Sequence, residues 1–346
     1  MKAVKLYGPG DVRVEEVSIP EPASQEVLVR VKAVGVCGSD IPRVLYVGAH
    51  KEKIIIGHEF SGQIVLKGNN VTKWKEGDRV TVAPLIPCGK CDSCLKGDYS
   101  LCSDYDYFGS RRDGAMAEYV AVPEENLVPL PDNVSYEAGA MVDPAANAWH
   151  ALWRAGLREG EDIAVFGVGP IGMFVIQAAR LAGASRIVAI DIVPEKLELA
   201  LKLGADEAIE GHEANVSHKI VDAIGKQPEV AIDLTGVPSV QGEAINTVGK
   251  RGRVVLVGIS HKGLNLSEEQ VDRILRYELI VQGSWNSFSK PFPGREWFET
   301  VELLSSGQLL AEPIISHKFD LVEAPRIFGE IKEGRLRSYN KILFLP

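Results

Sequence analysis

Long apolar runs are missing from this chain. No stretch approaches the ~18 apolar residues of a membrane-spanning helix. The opening residues, Met1 to Asp11, carry charges and the turn-forming Gly8-Pro9-Gly10 in place of an apolar signal core, so a cytoplasmic protein is expected. Without secretion, triplets such as Asn70-Val71-Thr72 carry no meaning as glycosylation signals. There are no internal repeats and no low-complexity segments, which removes repeat architectures. Positive charge is in deficit: 38 Lys and Arg against 47 Asp and Glu leave a net charge of −9. An acidic surface repels phosphate backbones and anionic lipid, so neither nucleic acid nor membrane is an expected partner. Cysteine is scarce, five among 346 residues. An odd count, the missing signal and a large core argue against a disulfide framework.

What remains is a globular chain. Its 45% hydrophobic content allows a sizeable core, and its length suggests two domains. Residues 1 to about 150 are rich in Gly, Pro and short β-branched runs such as Val27-Leu28-Val29-Arg30-Val31 and Arg79-Val80-Thr81-Val82. Short strands between turn signals suggest a β-barrel-like domain. From about Asp162 the rhythm becomes strand, helix, strand. Apolar runs at Ile163 to Phe166, Arg186 to Ile190, Val230 to Asp233, Arg253 to Val257 and Leu279 to Gln282 alternate with helical spacing, first at Ile171 to Leu181. That alternation predicts an α/β domain with a parallel sheet covered by helices. After about Ser284 come Pro/Gly loops, a helical stretch near Glu299 to Leu304 and a final strand, Lys341 to Leu345, expected to return to the first domain.

The cysteines fall into two groups. Cys88, Cys91, Cys94 and Cys102 form a C-x2-C-x2-C-x7-C cluster, and Cys37 stands apart. Two-residue spacing lets thiolates from one tight turn reach one ion, and a more distant fourth closes the tetrahedron. Four thiolates leave no open position, so a zinc there is structural. An iron-sulfur cluster is the rival, but its usual continuation is three residues and then Cys-Pro. Here seven residues intervene and Ser103 follows. Cys37 lies in Gly35-Val36-Cys37-Gly38-Ser39-Asp40, and 21 residues later comes Gly57-His58-Glu59. A thiolate and an imidazole are two of the three protein ligands that a catalytic zinc needs. Each residue alone reads as core; the pair, flanked by glycines, favours a metal.

Gly167-Val168-Gly169-Pro170-Ile171-Gly172 is a G-x-G-x-x-G that follows an apolar strand and opens a helix. Pro170 suits a helix start, where its missing N–H is no loss. Asp191 lies 24 residues after Gly167, at the end of the next strand, where a carboxylate bonds ribose hydroxyls. No Arg follows it, and a carboxylate repels a 2′-phosphate, so the expected cofactor is NAD and not NADP. Gly236 and Gly258, after later strands, are further candidates for cofactor contact.

Taken in order, Cys37 with Gly57-His58-Glu59, the four-Cys lobe and the G-x-G-x-x-G unit resemble the medium-chain zinc alcohol dehydrogenase family over essentially the whole chain. The resemblance implies a GroES-like catalytic domain, residues 1–147 and 285–346, with a structural-zinc lobe at about 86–104. It also implies a Rossmann domain at 148–284, an active site in the cleft between the two, one catalytic and one structural zinc, and a homodimer or homotetramer. Cys37 to Arg43, Gly48-Ala49-His50, Phe108 to Gly114, Gly283-Ser284-Trp285 and Pro293 to Trp297 further resemble the polyol-phosphate branch. Polyol dehydrogenases of the family usually carry Glu-Pro where this chain has Asp143-Pro144, and that Glu is a zinc ligand. The third ligand is therefore Asp143 or Glu59. The stretch Asp143 to His150 is also similar to threonine dehydrogenase, whose pattern has a His where this chain has Pro42.

The expected chemistry is oxidation of a secondary alcohol by NAD. Zinc lowers the pKa of bound water from about 15.7 to about 7, and an alcohol should respond similarly. Ser39 is a candidate for the first step of a proton relay, and Asp40 for orienting the zinc-ligand His. A phosphorylated small-molecule substrate needs a cationic clamp, for which Arg43, Arg111 and Arg112 are the candidates, with His50 a further contact. A free polyol or threonine dehydrogenase and a non-catalytic nucleotide-binding sensor are the alternatives.

Overall fold

A computed structural model describes residues 1–212 and 215–346. The chain forms two compact units, Met1–Asp143 with Ser287–Pro346, and Pro144–Asn286.

The first unit is built on a seven-stranded sheet. In spatial order its strands are Leu127–Pro129, Arg79–Val82, Glu59–Lys67, Glu26–Gly35, Lys341–Leu345 and Ile315–Asp320, and Tyr119–Pro123 also pairs with Glu26–Gly35. The long strand Glu26–Gly35 is the hub. Its register against Glu59–Lys67 shifts twice, between Leu28 and Val29 and between Val31 and Ala33. Such irregularities bend and twist a strand, which lets a sheet curl around its own core. Val27, Val29, Val31, Val34, Phe60, Ile64, Val80, Val82, Ile342 and Phe344 fill the interior and are at most 1% exposed.

The second unit carries a six-stranded, all-parallel sheet. Its spatial order is Glu207–Glu210, Ile187–Asp191, Ile163–Phe166, Val230–Asp233, Arg253–Leu256 and Ile280–Gly283. In chain order that is 3-2-1-4-5-6, with a reversal between Ile163–Phe166 and Val230–Asp233. Both strands at the reversal are buried along their whole length, which explains their unbroken apolar sequence. Strand order reverses where open parallel sheets bind ligands, beyond the carboxyl ends of the strands. Helix Pro170–Leu181 starts there, with its proline in the first turn. Among the described residues, no helix is long and apolar enough to cross a membrane.

Candidate functional site

The Cys37 site is assembled by β register. Gly35 pairs with Glu59 on the neighbouring antiparallel strand, and Leu343 of the last strand pairs with Gly35 from the other side. Cys37 therefore follows one strand end while His58 precedes the start of the next. The ligating atoms of Cys37, His58 and Glu59 lie within 4.8 Å of one another. His58 and Glu59 are each 2% exposed. Such donors converging in a buried pocket fit a metal cation, and their pairing is set by tertiary contact across 21 residues.

Asp40, fully buried, organises the surroundings. One carboxylate oxygen accepts the Cys37 N–H at 3.1 Å, and the other accepts from Arg43 at 2.6 Å. The second oxygen also lies 3.4 Å from His58 Nδ1. That spacing is long for a hydrogen bond, and Nδ1 meets no acceptor at bonding geometry. Asp40 thus turns Nδ1 towards itself and leaves Nε2 for a ligand. Burial opposes a charge on His58, yet the nearby Asp40 and Cys37 outweigh it and raise its pKa well above the ordinary imidazole value. Asp143 shows the opposite shortage. Burial first, then the charge of Glu59, pushes its carboxyl up to about 7. The pocket is thus short of positive charge, as a cation site should be. The Asp143 carboxyl itself lies outside the tight Cys37–His58–Glu59 group. Ser39 Oγ donates to Cys37 Sγ at 3.3 Å.

Two neighbours escape sequence reasoning. Tyr107 sets its ring edge-on to His58, with centroids 5.4 Å apart. Burial, then the charges of Asp143, Cys37 and Glu59, raise its phenol well above the usual range. Lys341 is 1% exposed and pairs with the Glu59 carboxylate. Its only sequence signal is a lysine opening an apolar strand, which reads equally well as a solvent end.

The four remaining cysteines converge as their spacing requires. Cys91 begins the helix Asp92–Lys96, Cys94 lies within it, and Cys102 ends the turn Tyr99–Leu101. Their sulfurs lie within 4.8 Å of one another, with Cys88–Cys94 and Cys91–Cys102 both at 3.9 Å. A tetrahedron with ~2.3 Å zinc–sulfur bonds has edges of about 3.8 Å, whereas a disulfide brings sulfurs to about 2.05 Å. Backbone N–H groups of Cys94 and Ser103 bring the Cys91 thiol down to about 6, which favours the thiolate.

In the second unit each glycine of the G-x-G-x-x-G loop has a separate reason. Gly167 takes φ +87°, a methyl on Gly172 would lie 2.2 Å from the Gly167 carbonyl, and a methyl on Gly169 would meet nothing within 4 Å. The first permits the turn and the third lets helix pack on strand. The second faces open space where a pyrophosphate could approach the backbone. Asp191 Oδ2 accepts the Val168 N–H at 2.8 Å, and Oδ1 accepts those of Ile192 and Val193 at 2.8 and 3.0 Å. A carboxylate has about four acceptor positions, so capacity remains for a ribose hydroxyl. Pro170 and Ile171 open the helix below, and Gly236 and Gly258 bring the loops after Val230–Asp233 and Arg253–Leu256 into contact.

Of the proposed clamp, the structure gathers part. Arg43 and Arg111 both act electrostatically on His50: burial first, then these two charges, lowers its pKa. Arg43 is already committed to Asp40. The Arg111 guanidinium rests 4.6 Å from the centre of the Tyr105 ring, and its Nε is buried with no acceptor among the described residues. Arg112 turns elsewhere: it pairs with Glu26 at 3.1 Å and covers the Phe108 ring. Arg43 and Arg111 thus share the surroundings of His50, while Arg112 is engaged by Glu26 and the Phe108 ring.

Comparison with known proteins agrees with this geometry. The alcohol dehydrogenase GroES-like domain matches residues 23–132 and the zinc-binding dehydrogenase domain matches residues 170–306. The chain is 37% identical to galactitol 1-phosphate 5-dehydrogenase of Escherichia coli, covering 100% of both. It is 35% identical to a sorbitol dehydrogenase of Bombyx mori, covering 96% of this chain and 95% of the relative. It is 34% identical to a D-arabitol-phosphate dehydrogenase of Enterococcus avium, with the same coverage. The crystal structure of the E. coli galactitol-1-phosphate dehydrogenase superposes with a TM-score of 0.94 over 100% of both chains. A zinc-binding dehydrogenase of Sinorhizobium meliloti bound to NADP, 30% identical, superposes at 0.93 over 100% of this chain and 99% of that one. With its GroES-like domain and Rossmann-type parallel sheet, the chain belongs to the zinc-binding, medium-chain alcohol dehydrogenase family.

Proposed function

We propose that the chain is an NAD-linked, zinc-dependent dehydrogenase that oxidises a secondary alcohol of a polyol phosphate, foremost galactitol 1-phosphate to tagatose 6-phosphate. The observation that carries the substrate class is Arg111, whose buried Nε lacks an acceptor beside His50 and Arg43. Two relatives, at 37% and 34% identity, are named for phosphorylated polyols.

Cys37 and His58 would hold the catalytic zinc, with Asp143 or Glu59 as the third ligand; Cys88, Cys91, Cys94 and Cys102 would hold the structural zinc. Zinc in such a site supplies Lewis acidity that makes a hydroxyl acidic near neutral pH, which alcohol oxidation requires. NAD bound in the unit Pro144–Asn286 would supply the hydride acceptor. The chain's own residues orient and exchange protons. Asp40 fixes the His58 ring through Nδ1. Ser39 Oγ, half-buried and in contact with Cys37 Sγ, takes the alcohol proton towards solvent. In the unit Pro144–Asn286, Asp191 accepts from the ribose hydroxyls and Gly169 leaves room for the pyrophosphate.

A free-polyol reading rests on the 35% identity to a sorbitol dehydrogenase. Initial rates with NAD and NADP on galactitol 1-phosphate, galactitol, sorbitol and threonine separate the two. The expected result is a kcat/KM at least about tenfold higher for the phosphate, equivalent to about 1.4 kcal/mol, with NAD preferred. Equal or better turnover of an unphosphorylated polyol overturns the substrate class.

A further inference from the structure

Tyr107 lies against the Cys37–His58 group, yet neither metal binding nor the proton path uses it. Its ring meets that of His58 edge to face, with centroids 5.4 Å apart and planes at 63°. The charges of Asp143, Cys37, Glu59 and Arg43 all act on the phenol. Its hydroxyl nevertheless takes no hydrogen-bond partner among the described residues. The side chain is half-buried, so a bound molecule can reach it. A phenol is protonated at neutral pH and has one hydrogen to donate.

The fold fixes Tyr107 in this place. Asp106–Tyr107 is a short strand paired with Leu85–Ile86. Phe108, next in the chain, is fully buried against Phe60, so Tyr107 projects from the other face. The Tyr107 carbonyl accepts the N–H groups of Arg111 and Arg112 at 3.0 and 3.2 Å, which folds the chain back on itself. That turn lies backbone to backbone on the residue before His58. A methyl on Gly109 would come 2.7 Å from the Gly57 nitrogen, and one on Gly114 2.2 Å from the Gly57 carbonyl oxygen. Tyr105 stands edge-on to Tyr107 at 6.3 Å, and the Arg111 guanidinium rests on Tyr105. A single loop thus carries a free hydroxyl against His58 and, one ring further out, the cation proposed to meet the phosphate.

The carbon to be oxidised must reach the Cys37–His58 group, so a residue packed on His58 meets the carbons beside it. In a polyol those carbons carry hydroxyls. We propose that the Tyr107 hydroxyl donates to the substrate hydroxyl on a carbon adjacent to the one oxidised, and so selects polyols over alcohols with a single hydroxyl. The inference rests on the reading of the chain as a polyol phosphate dehydrogenase. Tyr107 is then a specificity-determining residue that touches substrate and transfers no proton.

The test is Tyr107→Phe, which keeps the ring and removes only the hydroxyl. The zinc-loaded protein is assayed with NAD on galactitol 1-phosphate and on its 4-deoxy and 6-deoxy analogues. The two missing hydroxyls flank the carbon whose oxidation gives tagatose 6-phosphate. Binding of the same compounds is read by calorimetry with NADH present, where no turnover occurs. Tyr107→Phe should lower kcat/KM and weaken binding of galactitol 1-phosphate at least about fivefold, the worth of one neutral hydrogen bond. On one analogue the wild type should lose a similar factor, and Tyr107→Phe should match it within about twofold, because the contact is already gone. Melting temperature and zinc content should not move. A smaller loss on the parent compound overturns the proposal. So does an equal loss on all three compounds, which marks a structural role. If the variant folds poorly the wild type decides: both analogues turned over as well as the parent overturn the contact. A wild type that oxidises galactitol but not its phosphate overturns the phosphate reading alone, and the same comparison is then read on galactitol and its deoxy forms. A wild type that oxidises no polyol overturns both.

Discussion

Arg111→Ala is the perturbation that most directly probes substrate choice. In the free protein Arg111 makes a ring contact with Tyr105, and its Nε is buried without an acceptor. A phosphate would take that N–H and its neighbours in a planar fork. Hydrogen bonds to charged groups contribute about 1.5–3 kcal/mol, which converts to roughly a 10- to 150-fold rise in KM. The phosphate lies away from the carbon being oxidised, so the interaction is equal in ground and transition states. KM should therefore rise while kcat stays near the wild-type value. Arg111→Lys keeps the charge but loses the fork and should fall between. Arg112→Ala is the matched control, because Arg112 is committed to Glu26 in a partly exposed pair that contributes at most about 1 kcal/mol to stability. The assay is initial-rate NADH formation with galactitol 1-phosphate and with galactitol. If Arg111→Ala shifts both substrates equally, or Arg112→Ala mimics it, Arg111 is not a phosphate contact.

Three further expectations follow from the geometry. Gly169→Val should leave the melting temperature within error but weaken NAD binding at least about tenfold, because its side chain would enter open space; Gly172→Ala should instead destabilise by about 1–3 kcal/mol through overpacking against the Gly167 carbonyl. Calorimetry and NAD titration separate the two, and a Gly169→Val protein with unchanged NAD affinity removes the pyrophosphate assignment. Cys94→Ala should lose one zinc equivalent and several degrees of melting temperature, since closed zinc sites contribute directly to folding; chelation of that zinc without any thermal shift would count against a structural role. Lys318 donates to Glu137 at 2.9 Å, and that hydrogen bond holds the Glu137 carboxyl below its ordinary value of 4.5. A lowered folded-state pKa contributes stability that is present above about 4.5 and lost as pH falls through the folded value. The pair is partly exposed, so Glu137→Gln should cost about 0.2–1 kcal/mol near pH 7, with the difference vanishing once pH falls below the folded-state value; a gap that persists in acid contradicts the linkage.

Legibility in the sequence tracked how local each feature is. The strand Ile163–Phe166, the helix from Pro170 and the final strand Lys341–Leu345 were readable because apolar runs and a Gly-Pro start signal act over a few residues. The four-Cys site was readable for the same reason, since three of its ligands come from one short turn. The Cys37–His58 pairing was readable as a motif, but its geometry depends on the Gly35–Glu59 register. Neighbouring residues can also diverge in a way spacing does not show. Arg111 and Arg112 look equivalent in sequence, yet one rests on Tyr105 near His50 and the other reaches Glu26.

By itself, the order of residues determined the chemical vocabulary of this protein: thiolates and an imidazole of the kind that hold a metal, a glycine loop and an aspartate of the kind that hold a nucleotide, and an α/β frame to carry them. Only the tertiary structure decided which carboxylate faces which cation. Lys341 meets Glu59 because the last strand pairs with Glu26–Gly35 on the side opposite Glu59–Lys67. In a sheet, a one-residue slip moves every side chain to the other face. A contact across 282 residues is therefore set by register, and register belongs to the whole sheet.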